Sequence, residues 1–350
     1  HGITLPIKAL GRPVGINNAD HRPCFTTDRT TGATRQRKRL SNGDTTDADR
    51  FATLFDETNG APTAAQLGAD YLANAGPGLA LLVQTRFRDA EHIAAAIEAD
   101  PGKYERAISV CLPLAKSAQG ELRAIYAKLH ELLPEYDLPQ VHAVFGAGTS
   151  AGTAAPGVQV LGLEVICAAK NTEEEIRETF RFFFAHESVH AFQGMPSEHV
   201  YAMDPLLVAS IYEGVADYIA MTVTGRVPDT DRDQWARENS DMLWSQYAAD
   251  REVLRTSAQR GETLATLSPE ARDAFRRWHF NAGIAPSGWP DEAGYWIGRR
   301  IVTAYVERSA NKGLAIRELL NLQDPIGVLE ASGLASRLTN KPNTEEKPND

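Results

Sequence analysis

The sequence predicts an α+β protein, mainly helical, with one small sheet. Three observations lead there. Most of the chain between residues 47 and 338 repeats apolar side chains at i, i+3 and i+4, with Gly or Pro between the runs. Only residues 140–145 and 158–167 are β-rich, and they flank a loop of Gly, Ala, Ser and Thr over 146–157. With 43% hydrophobic and 23% charged residues, 350 residues suffice for a sizeable core and exclude wholesale disorder. No internal repeat is present.

Taken in order, the apolar period predicts helices over 48–57, 64–74, 78–99, 104–117 and 121–133. Residues 140–145 and 158–167 then read as a hairpin or two neighbouring strands, the second either an edge open to an extended peptide or a plain core strand. Helices resume over 172–193, 205–224, 232–260, 269–279 and 291–309, with a short one near 316–322. Asn171 and Thr172 with Glu175 give the 172–193 helix a capped start, and Gly194 stops it.

The expected organisation is a basic, low-complexity, flexible arm over 1–46, one domain over 47–338 and a disordered tail over 339–350. The domain divides into a helical amino-terminal part (47–135), the small sheet with the active-site helices (136–225) and a helical carboxy-terminal part (226–338). Eight basic residues stand against three acidic ones in the arm, and its run over 35–39 reads as a solvated charged face. The whole chain has a formal charge of −10, which argues against a nucleic-acid surface as its purpose. No uninterrupted apolar run reaches the roughly 18 residues of a membrane span, so no transmembrane segment is expected. Cys24, Cys111 and Cys167 are too few and too scattered for a disulfide framework or a cysteine-based zinc ribbon. Oligomeric state is not legible.

Residues 186–190 read His-Glu-Ser-Val-His, a match to H-E-x-x-H inside the 172–193 helix. Four residues of helix turn about 400°, so His186 and His190 project from one face and can hold one Zn²⁺. Glu187 lies between them, within reach of a metal-bound water, where it serves as general base and then acid. Such five-residue matches also arise by chance on surface helices; here Phe182, Phe183, Phe184, Ala185, Val189 and Phe192 make the setting apolar. A catalytic zinc needs a third protein ligand. Glu213, 23 residues beyond His190 in the 205–224 helix, suits that role. Asp217 shares its face and suits a carboxylate behind His186, fixing the imidazole tautomer.

His186-Glu187-Ser188-Val189-His190 followed by Glu213-Gly214-Val215-Ala216-Asp217 resembles the Glu-zincin arrangement of thermolysin-like metallopeptidases. More closely, the chain resembles a bacterial family of predicted zinc-dependent proteases of the Glu-zincin type, related to gliding-motility lipoprotein B-like proteins. The similarity runs from about residue 49 to 338. It includes Phe55-Asp56, the run 71–79, Arg86-Phe87-Arg88, the glycine loop with Leu161-Gly162-Leu163-Glu164, Gly294-Tyr295-Trp296-Ile297-Gly298, and 319–332. The basic arm has no counterpart there, and the lipid-attachment cysteine of the lipoprotein relatives is missing.

The resemblance implies a zincin-like catalytic domain with its small sheet beside the H-E-x-x-H helix, and a zinc metallopeptidase acting on a peptide or protein substrate. It also marks Tyr295 as special. With glycines on either side allowing close approach, Tyr295 is the first choice for the oxyanion donor, with His279 and Arg299 in reserve. The competing reading is a zinc-stabilised, non-catalytic binding or scaffolding protein of the same fold. A start at His1 rather than Met fits removal of an upstream segment, so an extracytoplasmic location, periplasmic or secreted, is expected, although no secretory signal pattern remains.

Overall fold

The computed structural model describes residues 43–87, 89–168 and 170–338. The tail over 339–350, Cys24, the 35–39 run and most of the basic arm lie outside the described residues. At the arm's end, Gly43 N–H donates to Gln119 Oε1 at 2.7 Å, and Asp44 forms a parallel bridge with His142.

Seven helices precede the sheet: α1 (Thr46–Glu57), α2 (Ala64–Gln66), α3 (Pro77–Thr85), α4 (Ala90–Ala99), α5 (Pro101–Arg106), α6 (Leu112–Ser117) and α7 (Gln119–Leu132). Short π or 3₁₀ turns at Leu67–Tyr71, Leu72–Asn74 and Ala107–Cys111 join some of them. The helix expected over 78–99 is therefore two. Asp89 interrupts it by accepting from His92 N–H and capping α4, a side-chain competition that apolar periodicity does not register.

The sheet contains β1 (Gln140–Val144), β2 (Gly152–Ala155) and β3 (Val158–Gly162) in the order β1-β3-β2. β1 and β3 run parallel, with Val141 opposite Gln159, and β2 runs antiparallel to β3, with Thr153 opposite Val160. The two β-rich stretches are thus neighbours but not a hairpin. Of the two readings of the second stretch, the plain core strand holds, because β3 is the central one. It ends at Gly162, and Leu163–Ala168 is helix α8. The edges are β1, bridged at His142 by Asp44, and β2, which lies inside the stretch read as loop.

After α8 come α9 (Glu173–Phe192), α10 (Glu198–Met203), α11 (Pro205–Thr224), α12 (Thr230–Glu238), α13 (Ser240–Gln259), α14 (Pro269–Arg276), α15 (Ala293–Arg308), α16 (Lys312–Leu320) and α17 (Pro325–Ala331). The expected 232–260 helix breaks at Asn239. Thr172 and Glu175 form the expected capping box on α9, and the chain leaves the helix at Gln193, one residue before Gly194. Pro205 and the Asp204 cap start α11; Gly225, at φ +75°, ends it. The protein is mainly helical with a small three-stranded mixed sheet.

Packing places α11 at the centre. Fourteen of its residues are buried, and among the described residues it is the one helix long and apolar enough to cross a membrane by length and composition. Within that apolar window 72% is buried inside the fold. Gly214 of α11 meets Gly298 of α15 backbone to backbone: a Cβ at Gly298 would overlap the Ser210 carbonyl oxygen. Of the two glycines flanking Tyr295 that were expected to allow close approach, Gly298 admits a helix. Gly294, its partner, leaves room for the His279 ring. In the amino-terminal half, Phe51 stacks on Phe145 at 4.5 Å between Tyr71 and Tyr104. Burying each such ring contributes about 1.5–3 kcal/mol. Cys111 and Cys167 form a disulfide tying the turn before α6 to α8. The sequence reading allowed no disulfide framework, and a single bridge across 56 residues carries no spacing signal.

Candidate metal centre

α9 and α11 bring His186, His190 and Glu213 together, and the three could hold one metal ion. His186 Nε2 and His190 Nε2 lie 3.0 Å apart, and Glu213 Oε2 is 3.1 Å from His190 Nε2 and 3.4 Å from His186 Nε2. Tetrahedral bonds of about 2.0–2.1 Å to one small cation would put ligand atoms roughly 3.3 Å apart, close to the sides of this triangle.

The other nitrogen of each ring decides what the focus contains. Asp217, fully buried, places Oδ1 3.0 Å from His186 Nδ1. Gln193 places Oε1 2.7 Å from His190 Nδ1, and its Nε2 donates to the Tyr212 carbonyl at 2.9 Å, which fixes the amide's orientation. Both Nδ1 atoms therefore donate. Neutral rings then present two lone pairs and a carboxylate oxygen to one point, an arrangement that calls for a cation. Burial opposes charge on His186, but hydrogen bonds to Asp217 and Glu213 outweigh it and push its pKa up to about 10. Glu213 is held well below the usual carboxylate range, its own burial overcome by His190 and His186.

The residues around this focus are fixed in turn. Arg232 Nη2 reaches Asp217 Oδ2 at 3.2 Å, so both Asp217 oxygens are engaged. The same guanidinium lies 5.1 Å from the centroid of the Tyr295 ring. Tyr212 stacks on His190 at 5.0 Å. Ser188 Oγ donates toward Gln159 Oε1 at 2.8 Å, locking α9 to β3.

Glu187 is 7% exposed, and its carboxylate has no hydrogen-bond partner among the described residues. It lies against β2, where a Cβ on Gly152 would come within 2.7 Å of Oε1. Tyr295 stands across the site, its ring parallel to His186 at 6.0 Å, and its hydroxyl likewise has no partner among the described residues. Burial, then the negative charges of Glu213 and Glu292, push its pKa well above 10 and keep the proton on.

The reserve donors are occupied elsewhere. His279 Nε2 is 3.0 Å from Ser210 Oγ, itself 2.9 Å from the Tyr247 hydroxyl, and burial pushes the imidazole down to about 4. Arg299 is paired with Asp233. Gln193, Arg232 and Gly152 escaped the sequence reading. For Gln193 a signal existed, because an amide three residues beyond His190 shares its helical face. Arg232 and Gly152 arrive from separate elements, and no spacing rule reaches them. No family model matches the chain, and no curated protein or solved structure matches it either.

Proposed function

We propose that this chain is a zinc-dependent metallopeptidase with a zincin-like catalytic domain, as the resemblance to predicted zinc-dependent proteases also implies. The observation that carries the reading is the meeting of His186, His190 and Glu213 at one focus, with both imidazole Nδ1 atoms engaged from behind. When bound there, zinc supplies a Lewis acid that polarises a carbonyl and makes water acidic enough to ionise near neutral pH.

The chain's own residues supply the rest. Asp217 and Gln193 hold the two imidazoles in the tautomer that leaves Nε2 free. Glu187, unpartnered at the focus, takes a proton from the attacking water and returns it to the leaving amine. Tyr295 donates its hydroxyl to the carbonyl oxygen as negative charge builds there. An extended substrate pairs its backbone with the open edge of β2, and Gly152 lets that strand approach Glu187. The Cys111–Cys167 disulfide supports a location outside the cytoplasm, periplasmic or secreted.

Mass-spectrometric profiling of a peptide library tests this, comparing zinc-loaded parent, parent with chelator, and Glu187→Gln. Cleavage is expected only in the first. Equal cleavage by Glu187→Gln removes Glu187 from the mechanism. Zinc bound with no cleavage by any form favours the scaffolding reading.

A further inference from the structure

A cavity of about 310 Å³ opens between α12, α13, α15 and the carboxy-terminal 3₁₀ turn (Ala335–Leu338). It lies on another face of α15 from the metal centre, because Trp296 and Arg300 line it while Tyr295, about 100° round the helix, faces His186. Two buried indoles, Trp244 and Trp296, form an apolar wall with their rings 6.4 Å apart. Three guanidiniums surround them. Arg300 lies 5.8 Å over the Trp296 ring, and Arg337 5.9 Å over Trp244. Arg237 closes the third side.

Charge here is not balanced. Arg237 and Arg299 share Asp233, Arg337 is paired with Asp241, and Arg300 has no carboxylate partner among the described residues. Three guanidiniums thus line the cavity, and none of its lining residues is acidic, in a chain that is acidic overall. Glu238, next to Arg237, does not line the cavity. The indole N–H of Trp296 is buried with no hydrogen-bond partner. The 20-residue helix α13 begins at Ser240 in the cavity wall, and the preceding Asn239 makes no side-chain cap.

We propose that this cavity binds a phosphate monoester carried on a flat apolar body. The guanidinium forks of a lining without carboxylates match a phosphate dianion and its oxygens, and the indole wall matches an aromatic or similarly flat group. Neither the metal nor Glu187 takes part.

Phenyl phosphate is the probe, read by tryptophan fluorescence and calorimetry against sodium chloride at matched ionic strength, inorganic phosphate and benzoate. Saturable binding with a Kd below about 1 mM is expected for phenyl phosphate, with benzoate and inorganic phosphate at least about tenfold weaker. Arg300→Gln, which breaks no ion pair, is expected to weaken phenyl phosphate about tenfold while leaving zinc content and the melting temperature unchanged. A fluorescence change no larger than that with chloride overturns the site. Parent-like affinity in Arg300→Gln does so too, and inorganic phosphate binding as tightly as phenyl phosphate removes the flat body from the ligand.

Discussion

Glu164, under the glycine loop of the amino-terminal half, and Asp217, in the helix pair of the metal centre, are both buried carboxylates held in opposite ways. Glu164 Oε1 accepts two backbone N–H groups, from Gly146 and Gly148 at 3.1 Å each, while its Oε2 has no partner. Burial pushes its pKa up against those hydrogen bonds and the charge of Lys103. Asp217 has both oxygens occupied, one by an imidazole and one by a guanidinium. The amino-terminal carboxyl pins a loop through backbone N–H groups, with Lys103 acting on it only by charge. The carboxylate of the centre is tied into a relay of charge, from Arg232 through Asp217 to His186. The first arrangement fixes a loop; the second orients an imidazole at the proposed cation site.

The largest test of that division is Glu187→Gln. If the centre is where chemistry occurs, kcat/KM should fall about 10²–10⁴-fold with zinc content unchanged, measured by peptide cleavage and metal analysis. Activity within a few-fold of the parent would break the contrast. Next, Cys111→Ser acts wholly within the amino-terminal half. It should cost about 2–4 kcal/mol in denaturant unfolding and leave zinc affinity at the parent value. A drop in zinc affinity would show that the two regions are coupled.

Asp217→Asn should lower zinc affinity about 10–100-fold, read by competition with a chelator, because the relay to His186 is lost. Unchanged affinity would reduce Asp217 to a packing residue. The smallest effect is expected from Glu164→Gln, which keeps the carbonyl acceptor. Folding raises the Glu164 pKa above its ordinary value near 4.5, so the folded chain holds its proton more tightly. The stability from that group is complete below about pH 4.5 and is lost as pH rises through the raised value. In Glu164→Gln that decline should flatten in a pH series of unfolding curves. A step from Glu292, pushed up to about 7 mainly by burial, has the same sign and should persist in both forms. Identical profiles would mean that Glu164 is not shifted by folding.

Local signals carried much of this molecule. Helix α11 spans the stretch its apolar period, Pro205 and Gly225 delimit, and the α9 capping box is formed by the residues expected. That His186, His190 and Glu213 could meet, with Asp217 behind, was legible for the same reason, since the histidines are one turn apart and the two acids share a helical face. What escaped depended on partners distant in sequence. β2 is Gly-Thr-Ala-Ala, with one β-branched residue and no alternation, and it becomes a strand only because β3 pairs with it. The parallel pairing of β1 and β3 follows from their connection, which residue composition does not encode. Likewise Gly298 was read as allowing close approach at Tyr295, when what approaches it is the α11 backbone.

The most direct measurement is an anomalous-scattering map from crystals grown with zinc. Zinc ligation as described predicts one strong peak per chain, about 2.0–2.2 Å from His186 Nε2, His190 Nε2 and a Glu213 oxygen. No peak at that position, or a peak held by other side chains, would contradict it.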